Sequence, residues 1–251
     1  MCQKVNISRA LVVILIALSV IGCRRVTIVS NSLVSGDCLE EVERRINSND
    51  GESWVYTKHN WKGSTSYNNP INDSIYDDGA PFAFGHPDVT VMSFGSNEMR
   101  LVTLGQISEE SAIQSMQTLI NQAVVAGSMC IVLLEASHHM RGDPTVNPLF
   151  SMHMDSWFEH WHSLAGDNEY LGIPYTLAIA DISEAIHENP QQYLADALHL
   201  NEAGADLAAT AIVEQINQCP EGRWIYLENQ LKSHASFPSN PYKSYIKAAG
   251  N

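Results

Sequence analysis

The apolar positions of the chain fall into short β-branched runs separated by longer segments of helical period. Val26 to Val29 is the first such run and reads as a buried strand. Ser35, Gly36 and Asp37 break the chain, after which Leu39, Val42 and Ile46 recur at helical spacing across Cys38 to Ile46. Ser53 to Thr57 and Val89 to Phe94 are the second and third strand candidates, with residues 59 to 87 reading as a loop rich in Asn, Asp, Gly and Pro. An amphipathic helix is expected from Glu109 to Ala126, behind Ser108 as its cap and closed by Gly127. Ile131 to Leu134 is a fourth strand, and Pro144 and Pro148 mark another loop. Residues 151 to 165 read as a helix with Trp157 and Trp161 four apart on one face. Tyr175 to Ile179 is a fifth strand, and Glu202 to Ile216 is a last, Ala-rich helix. Strands alternating with helices at these lengths predict a five-stranded parallel sheet covered on both faces, a three-layer α/β/α sandwich. No internal repeat is visible. Residues 220 to 251 are polar, hold three of the ten prolines, and read as a tail or strap without chemistry of their own.

The stretch before the first strand follows neither period. Lys4 and Arg9 precede a twelve-residue apolar run, Ala10 to Ile21, which is too short to span a bilayer core as a helix. It matches the apolar centre of a secretory signal behind a basic start, so residues 1 to 22 read as a signal peptide or N-terminal membrane anchor. The run ends Val20-Ile21-Gly22-Cys23, similar to the processing site of bacterial lipoproteins, in which the cysteine is lipidated and becomes the first residue. An uncleaved anchor, or a plain signal with an incidental cysteine, is the alternative, and Arg24 and Arg25 lean towards it because positive charge after an apolar run opposes translocation. Each reading places the domain, residues 23 to 219, outside the cytoplasm, as a membrane-anchored lipoprotein or otherwise a secreted protein.

Composition narrows the partners. Of 251 residues, 45% are apolar, which is enough to build a core and argues against disorder. The length suits one α/β domain. The net charge is −14, and loss of residues 1 to 22 takes away Lys4 and Arg9 but no acid, leaving −16. Such a chain repels nucleic-acid phosphates and gains nothing from anionic lipid, so any membrane contact is expected through the N-terminal anchor alone. The mature cysteines would be Cys23, Cys38, Cys130 and Cys219, and their spacing fits no metal motif. If a disulfide forms, Cys130–Cys219 is expected. One cysteine opens strand four and the other closes the last helix, which puts both at the same end of a parallel sheet, whereas Cys38 lies at the other end.

In a parallel α/β sheet, function gathers beyond the carboxyl ends of the strands. Strand one runs into Ser30-Asn31-Ser32-Leu33, strand two into Asn60-Trp61-Lys62-Gly63, and strand three into Gly95-Ser96-Asn97-Glu98, while Asp196-Ala197-Leu198-His199 precedes the last helix. A serine, a turn glycine, an asparagine and a histidine with a carboxylate three residues earlier thus converge on one rim, which is the set that acyl transfer needs. Each block alone has a plainer reading: a turn for Ser30 to Ser32, a strand end for Gly95, a helix cap for Asp196.

Together the blocks resemble the SGNH hydrolases, the GDSL-type esterases and lipases. The resemblance covers residues 26 to 217 and rests most heavily on DALHLNEAG, Asp196 to Gly204, and VMSFGSNEM, Val91 to Met99. The first block departs from the family's usual Gly-Asp-Ser-Leu, because Ser30 and Asn31 stand before Ser32, and Glu98 stands where Asp is commoner. The resemblance implies a flavodoxin-like sheet, Ser32 as nucleophile, His199 as general base, Asp196 as its orienting partner, and an oxyanion hole from the backbone of Ser32 and Gly63 and the side chain of Asn97. It implies no metal and no organic cofactor, and as substrate a small ester, an acylated sugar or a lipid. A transferase passing the acyl group to a sugar hydroxyl would use the same residues, and a binding protein on the same scaffold is the non-enzymatic alternative. His138 and His139 follow strand four and could line the pocket. His153, His160 and His162 have no one-face spacing suited to a metal, and Trp157 and Trp161 read as core rather than as a sugar platform.

Overall fold

The computed structural model describes residues 25–31, 37–48, 55–60, 66, 87–136, 148–196 and 199–219. All of them belong to a compact unit spanning Met1–Pro220; a second unit, Glu221–Asn251, and the expected leader of residues 1 to 22 lie outside the described residues. The elements in chain order are β1 (Arg25–Ser30), α1 (Asp37–Ser48), β2 (Val55–Asn60), β3 (Val89–Ser93), α2 (Ser96–Thr103), α3 (Glu109–Ala126), β4 (Cys130–Glu135), α4 (Pro148–Ser163), β5 (Gly166–Tyr170), β6 (Ile173–Asp181), α5 (Ser183–Glu188), α6 (Pro190–Tyr193) and α7 (Glu202–Gln218). Among the described residues, no helix is long and apolar enough to cross a membrane.

The sheet has the strand order β2-β1-β3-β4-β6-β5. The first five of these strands are parallel, as expected. The sixth, β5, pairs antiparallel with β6 at the edge. The two form a hairpin whose linking residues, Leu171 and Gly172, both have positive φ, as a type I′ turn requires. β5 has the sequence GDNEY and exposes most of its length, so it offered no apolar alternation to read. A polar edge strand of this kind discourages pairing with other chains.

Alternation along each inner strand shows why there are three layers. Val26 and Ile28 of β1, Val89 and Val91 of β3, and Val132 and Leu134 of β4 pack with Val42 of α1 and with Ala208, Ile212 and Ile216 of α7. The intervening Val29, Met92, Ile131 and Leu133 pack on the opposite face with Met116, Leu119 and Ile120 of α3 and with Trp157 and Trp161 of α4. Each such aliphatic side chain, taken wholly from water, contributes roughly 1.5–3 kcal/mol. The two tryptophans are 2% and 0% exposed, which makes them core residues.

Helix limits follow local chemistry. The Ser108 hydroxyl accepts from the Ser111 N–H at 3.1 Å, and Gly127 ends α3 with φ near +122°, so that helix has the expected bounds. α4 begins at Pro148 rather than at residue 151, because proline suits the first turn, where no N–H is needed. β2 lies two to three residues further along than Ser53 to Thr57, in register with β1 from Arg25↔Val55 to Ser30↔Asn60. Residues 96 to 103 form a helix directly after β3, an element that the pattern of the chain had not assigned. Cys130 and Cys219 form a disulfide with Cα atoms 5.9 Å apart, tying the start of β4 to the end of α7.

Candidate active site

Register places the carboxyl ends of the central strands side by side. Ser30 lies opposite both Asn60 of β2 and Ser93 of β3, and the Asn31 N–H reaches the Ser93 carbonyl at 3.4 Å, one step past the ladder. Ser30 and Asn31, the two residues that depart from the family's first block, are 0% and 1% exposed, so they belong to the packed end of β1. Ser32 is the next residue. It lies outside the described residues, as do Gly63, Cys23, His138 and His139.

The turn after β3 is held from several sides. Gly95 has φ near +125°, and a Cβ there would come within 2.6 Å of the Trp157 indole nitrogen. Glycine is therefore required twice, by backbone conformation and by the Trp157 indole against it. Asn97 follows as the second residue of α2, half-buried beside this turn. Glu98 is 0% exposed. One of its carboxylate oxygens accepts from the Ser66 N–H at 2.5 Å and the other from the Gly95 N–H at 2.8 Å. Burial pushes its pKa upward, and the backbone N–H bonds from Ser66 and Gly95 oppose that shift.

The histidine loop is of another kind. Asp196 Oδ2 lies 2.7 Å from His199 Nδ1, and Asp196 Oδ1 accepts from the backbone N–H of His199, also at 2.7 Å. One carboxylate thus holds both the ring and the backbone of the histidine. With Nδ1 carrying the proton towards Asp196, Nε2 becomes the basic nitrogen of the ring. The side chains of both residues stay open to solvent, 42% exposed for His199 and 57% for Asp196. The loop is pinned at its base by the bridge between Leu194 and Leu200 and by the Ala195 N–H to the His199 carbonyl at 2.8 Å. Asn201 caps α7 through Gly204 N–H at 3.0 Å while its amide donates to Gln192 O at 2.9 Å. Gly204 is needed there, because a Cβ would stand 2.2 Å from the Tyr193 carbonyl oxygen. Most of the block Asp196 to Gly204 is thereby accounted for residue by residue.

Two histidines of α4 have carboxylate partners of their own. His153 Nδ1 meets Glu109 Oε2 at 2.8 Å, and burial lowers the pKa of His160. His162 Nε2 meets Glu135 Oε2 at 2.9 Å. Among the described residues, Glu135, His162 and Asp181 form one group whose ligand-type atoms all lie within 4.8 Å of one another, a clustering of strand ends that the chain's spacing did not reveal. It arises because Glu135 and Asp181 are register partners on β4 and β6.

No protein-family model and no curated protein sequence matches the chain. Solved structures do. A candidate SGNH hydrolase from Slackia heliotrinireducens superposes with a TM-score of 0.55 at 18% identity, over 77% of this chain and 99% of that one. A carbohydrate esterase of family 3 from Talaromyces cellulolyticus gives 0.51 at 16% identity, over 78% and 97%. A catalytic mutant of an acetylxylan esterase from Geobacillus stearothermophilus gives 0.52 at 12% identity, over 77% and 94%. The strand order, the two helical layers and these superpositions together establish that the chain has the SGNH-hydrolase fold.

Proposed function

We propose that the chain is a serine esterase that hydrolyses acyl or acetyl esters. The observation that carries this reading is the Asp196–His199 pair, in which a single carboxylate fixes both the backbone and the ring of a solvent-open histidine. A carboxylate that only capped a helix would have no reason to grip the imidazole as well. In the proposed mechanism Ser32 Oγ attacks the ester carbonyl while His199 Nε2 takes its proton. The N–H groups of Ser32 and Gly63 and the side-chain amide of Asn97 receive the charge that develops on the carbonyl oxygen, a contribution of roughly 3–4 kcal/mol per donor. The tetrahedral intermediate collapses, His199 returns the proton to the departing alcohol, and an acyl-Ser32 ester remains. Water activated by the same imidazole then releases the acid and restores Ser32.

The test uses p-nitrophenyl esters of increasing chain length together with acetylated xylan, chosen because two proteins of this fold are named for carbohydrate esters. The wild type should hydrolyse at least one without an added acceptor and be labelled by a fluorophosphonate probe. Ser32→Ala should do neither. A folded Ser32→Ala variant with full activity would place the nucleophile elsewhere.

We propose further that Cys23 anchors the protein to a membrane outside the cytoplasm. β1 begins at Arg25, two residues after Cys23, so little chain separates the anchor from the sheet. The Arg25 guanidinium lies 3.8 Å from Asp88, and its backbone N–H donates to the same carboxylate at 2.8 Å, so that end of β1 is held by the domain itself. Cys23→Ala should change gel mobility and release the protein from the membrane fraction; unchanged mobility and fractionation would refute the anchor.

A further inference from the structure

Two of the oxyanion donors in the esterase reading come from segments far apart in the chain. Gly63 follows β2, and Asn97 lies in the first turn of α2, after β3. β1 separates these strands in the sheet. Beyond the ladders of the sheet, one side chain links the described residues of these two segments. The wholly buried Glu98 bonds through one oxygen to the N–H of Ser66, three residues past Gly63, and through the other to the N–H of Gly95, two residues before Asn97.

The Gly95 bond alone would be ordinary capping of α2 by an acid in its first turn. The Ser66 bond, across 32 residues of sequence, serves no helix. We propose that Glu98 is a positioning residue whose carboxylate ties Ser66 to the turn after β3 and so holds the Asn97 oxyanion donor in place. Both bonds need an acceptor at each oxygen. A glutamine of the same shape would turn an N–H₂ group towards one of the two N–H groups and lose that contact. Aspartate keeps two acceptors but is shorter by one methylene, so it preserves the chemistry and gives up reach.

This inference rests on the esterase reading, and the experiment separates the two. Wild type, Ser32→Ala, Glu98→Gln and Glu98→Asp are compared with p-nitrophenyl acetate for kcat and KM, with a fluorophosphonate for the rate of labelling, and by circular dichroism for folding. Wild-type activity and labelling that vanish with Ser32→Ala establish the esterase reading; their absence in the wild type overturns both proposals. Glu98→Gln should lower kcat about 100-fold, the scale of a misplaced oxyanion donor, with KM changed less than threefold and labelling slowed in parallel. Glu98→Asp should retain more kcat than Glu98→Gln. A residue that served packing alone would give the reverse order, because Gln fills the site and Asp does not. That reverse order, or kcat within twofold of wild type in a folded Glu98→Gln, overturns the clamp. If Glu98→Gln does not fold, Glu98→Asp decides: kcat lowered at least tenfold at unchanged KM supports the clamp, and unchanged kcat overturns it.

Discussion

The two described halves of the candidate site are built by opposite means. The histidine loop is exposed and local: its central contacts, His199 to Asp196 and Gly204 to Asn201, each span three residues. The turn at Gly95 is buried, and its supports come from Trp157 on α4 and Ser66 beyond β2. In the proposed mechanism the first half carries the group that exchanges protons with substrate and water, and its exposure suits that task. The second half, in the same proposal, holds an amide dipole in place, which demands rigidity, and packing supplies it. Damage to the first half should therefore remove activity and spare stability, and damage to the second should cost both.

The largest expected effect is on the exposed half. Asp196→Asn should lower kcat by about 10⁴-fold by favouring the wrong imidazole tautomer, while the melting temperature stays nearly constant because the residue is 57% exposed. A large fall in melting temperature would break the comparison by making the loop part of the core. Next comes the buried half, where Gly95→Ala brings a Cβ within 2.6 Å of the Trp157 indole at a φ of +125°. A loss of roughly 2–4 kcal/mol in chemical denaturation is expected, with activity falling as well, since both backbone strain and overpacking operate. Unaltered stability would show that α4 yields freely. Gly204→Ala sharpens the contrast: its Cβ meets the Tyr193 carbonyl at 2.2 Å, so the histidine loop must shift. Activity should drop more than tenfold, while stability falls less than in Gly95→Ala, by about 1–2 kcal/mol.

The smallest effect calibrates what a half-buried charge network on one helix contributes to stability. Glu41 on α1 is held by Arg44 and Arg45, and its pKa is lowered to about 2, chiefly by the Arg44 hydrogen bond and then by that of Arg45. A carboxylate with a depressed folded pKa adds stability above its ordinary value near 4.5 and loses it as pH falls through about 2. Solvent screening reduces that contribution to roughly a few tenths of a kcal/mol. Glu41→Gln should accordingly lower the melting temperature slightly at pH 7 and low salt, and not at all at pH 2. An equal loss at both pH values would mean that Glu41 acts by packing.

The fold was readable in the chain to a large degree, for identifiable reasons. β-branched runs such as Val26 to Val29 are buried on both faces, and parallel strands need that pattern. The bounds of α3 followed from Ser108 and Gly127, and the Cys130–Cys219 disulfide from strand direction alone. β5 escaped because GDNEY is polar and exposed, and α2 because its eight residues start directly after the strand-ending Gly95. In the site, the Asp196–His199 spacing was legible since a three-residue contact fits within one short window of sequence. The bridging contacts of Glu98 were not. They depend on Ser66, in a segment of Asn, Asp and Gly that carries no periodic signal.

By itself the sequence determined the alternation of strand and helix, the net acidity, the candidate nucleophile and base, and the glycines at the turn after β3 and the end of α3. Those properties are set by interactions within a few residues or by composition, so they survive in a linear reading. Tertiary structure alone decided that Trp157 closes over Gly95, that Glu98 joins two strand ends, and that Glu135, His162 and Asp181 meet. These contacts link segments that only the sheet register brings together, and side-chain burial at such meeting points is a property of the packed layers, which no short stretch of chain contains.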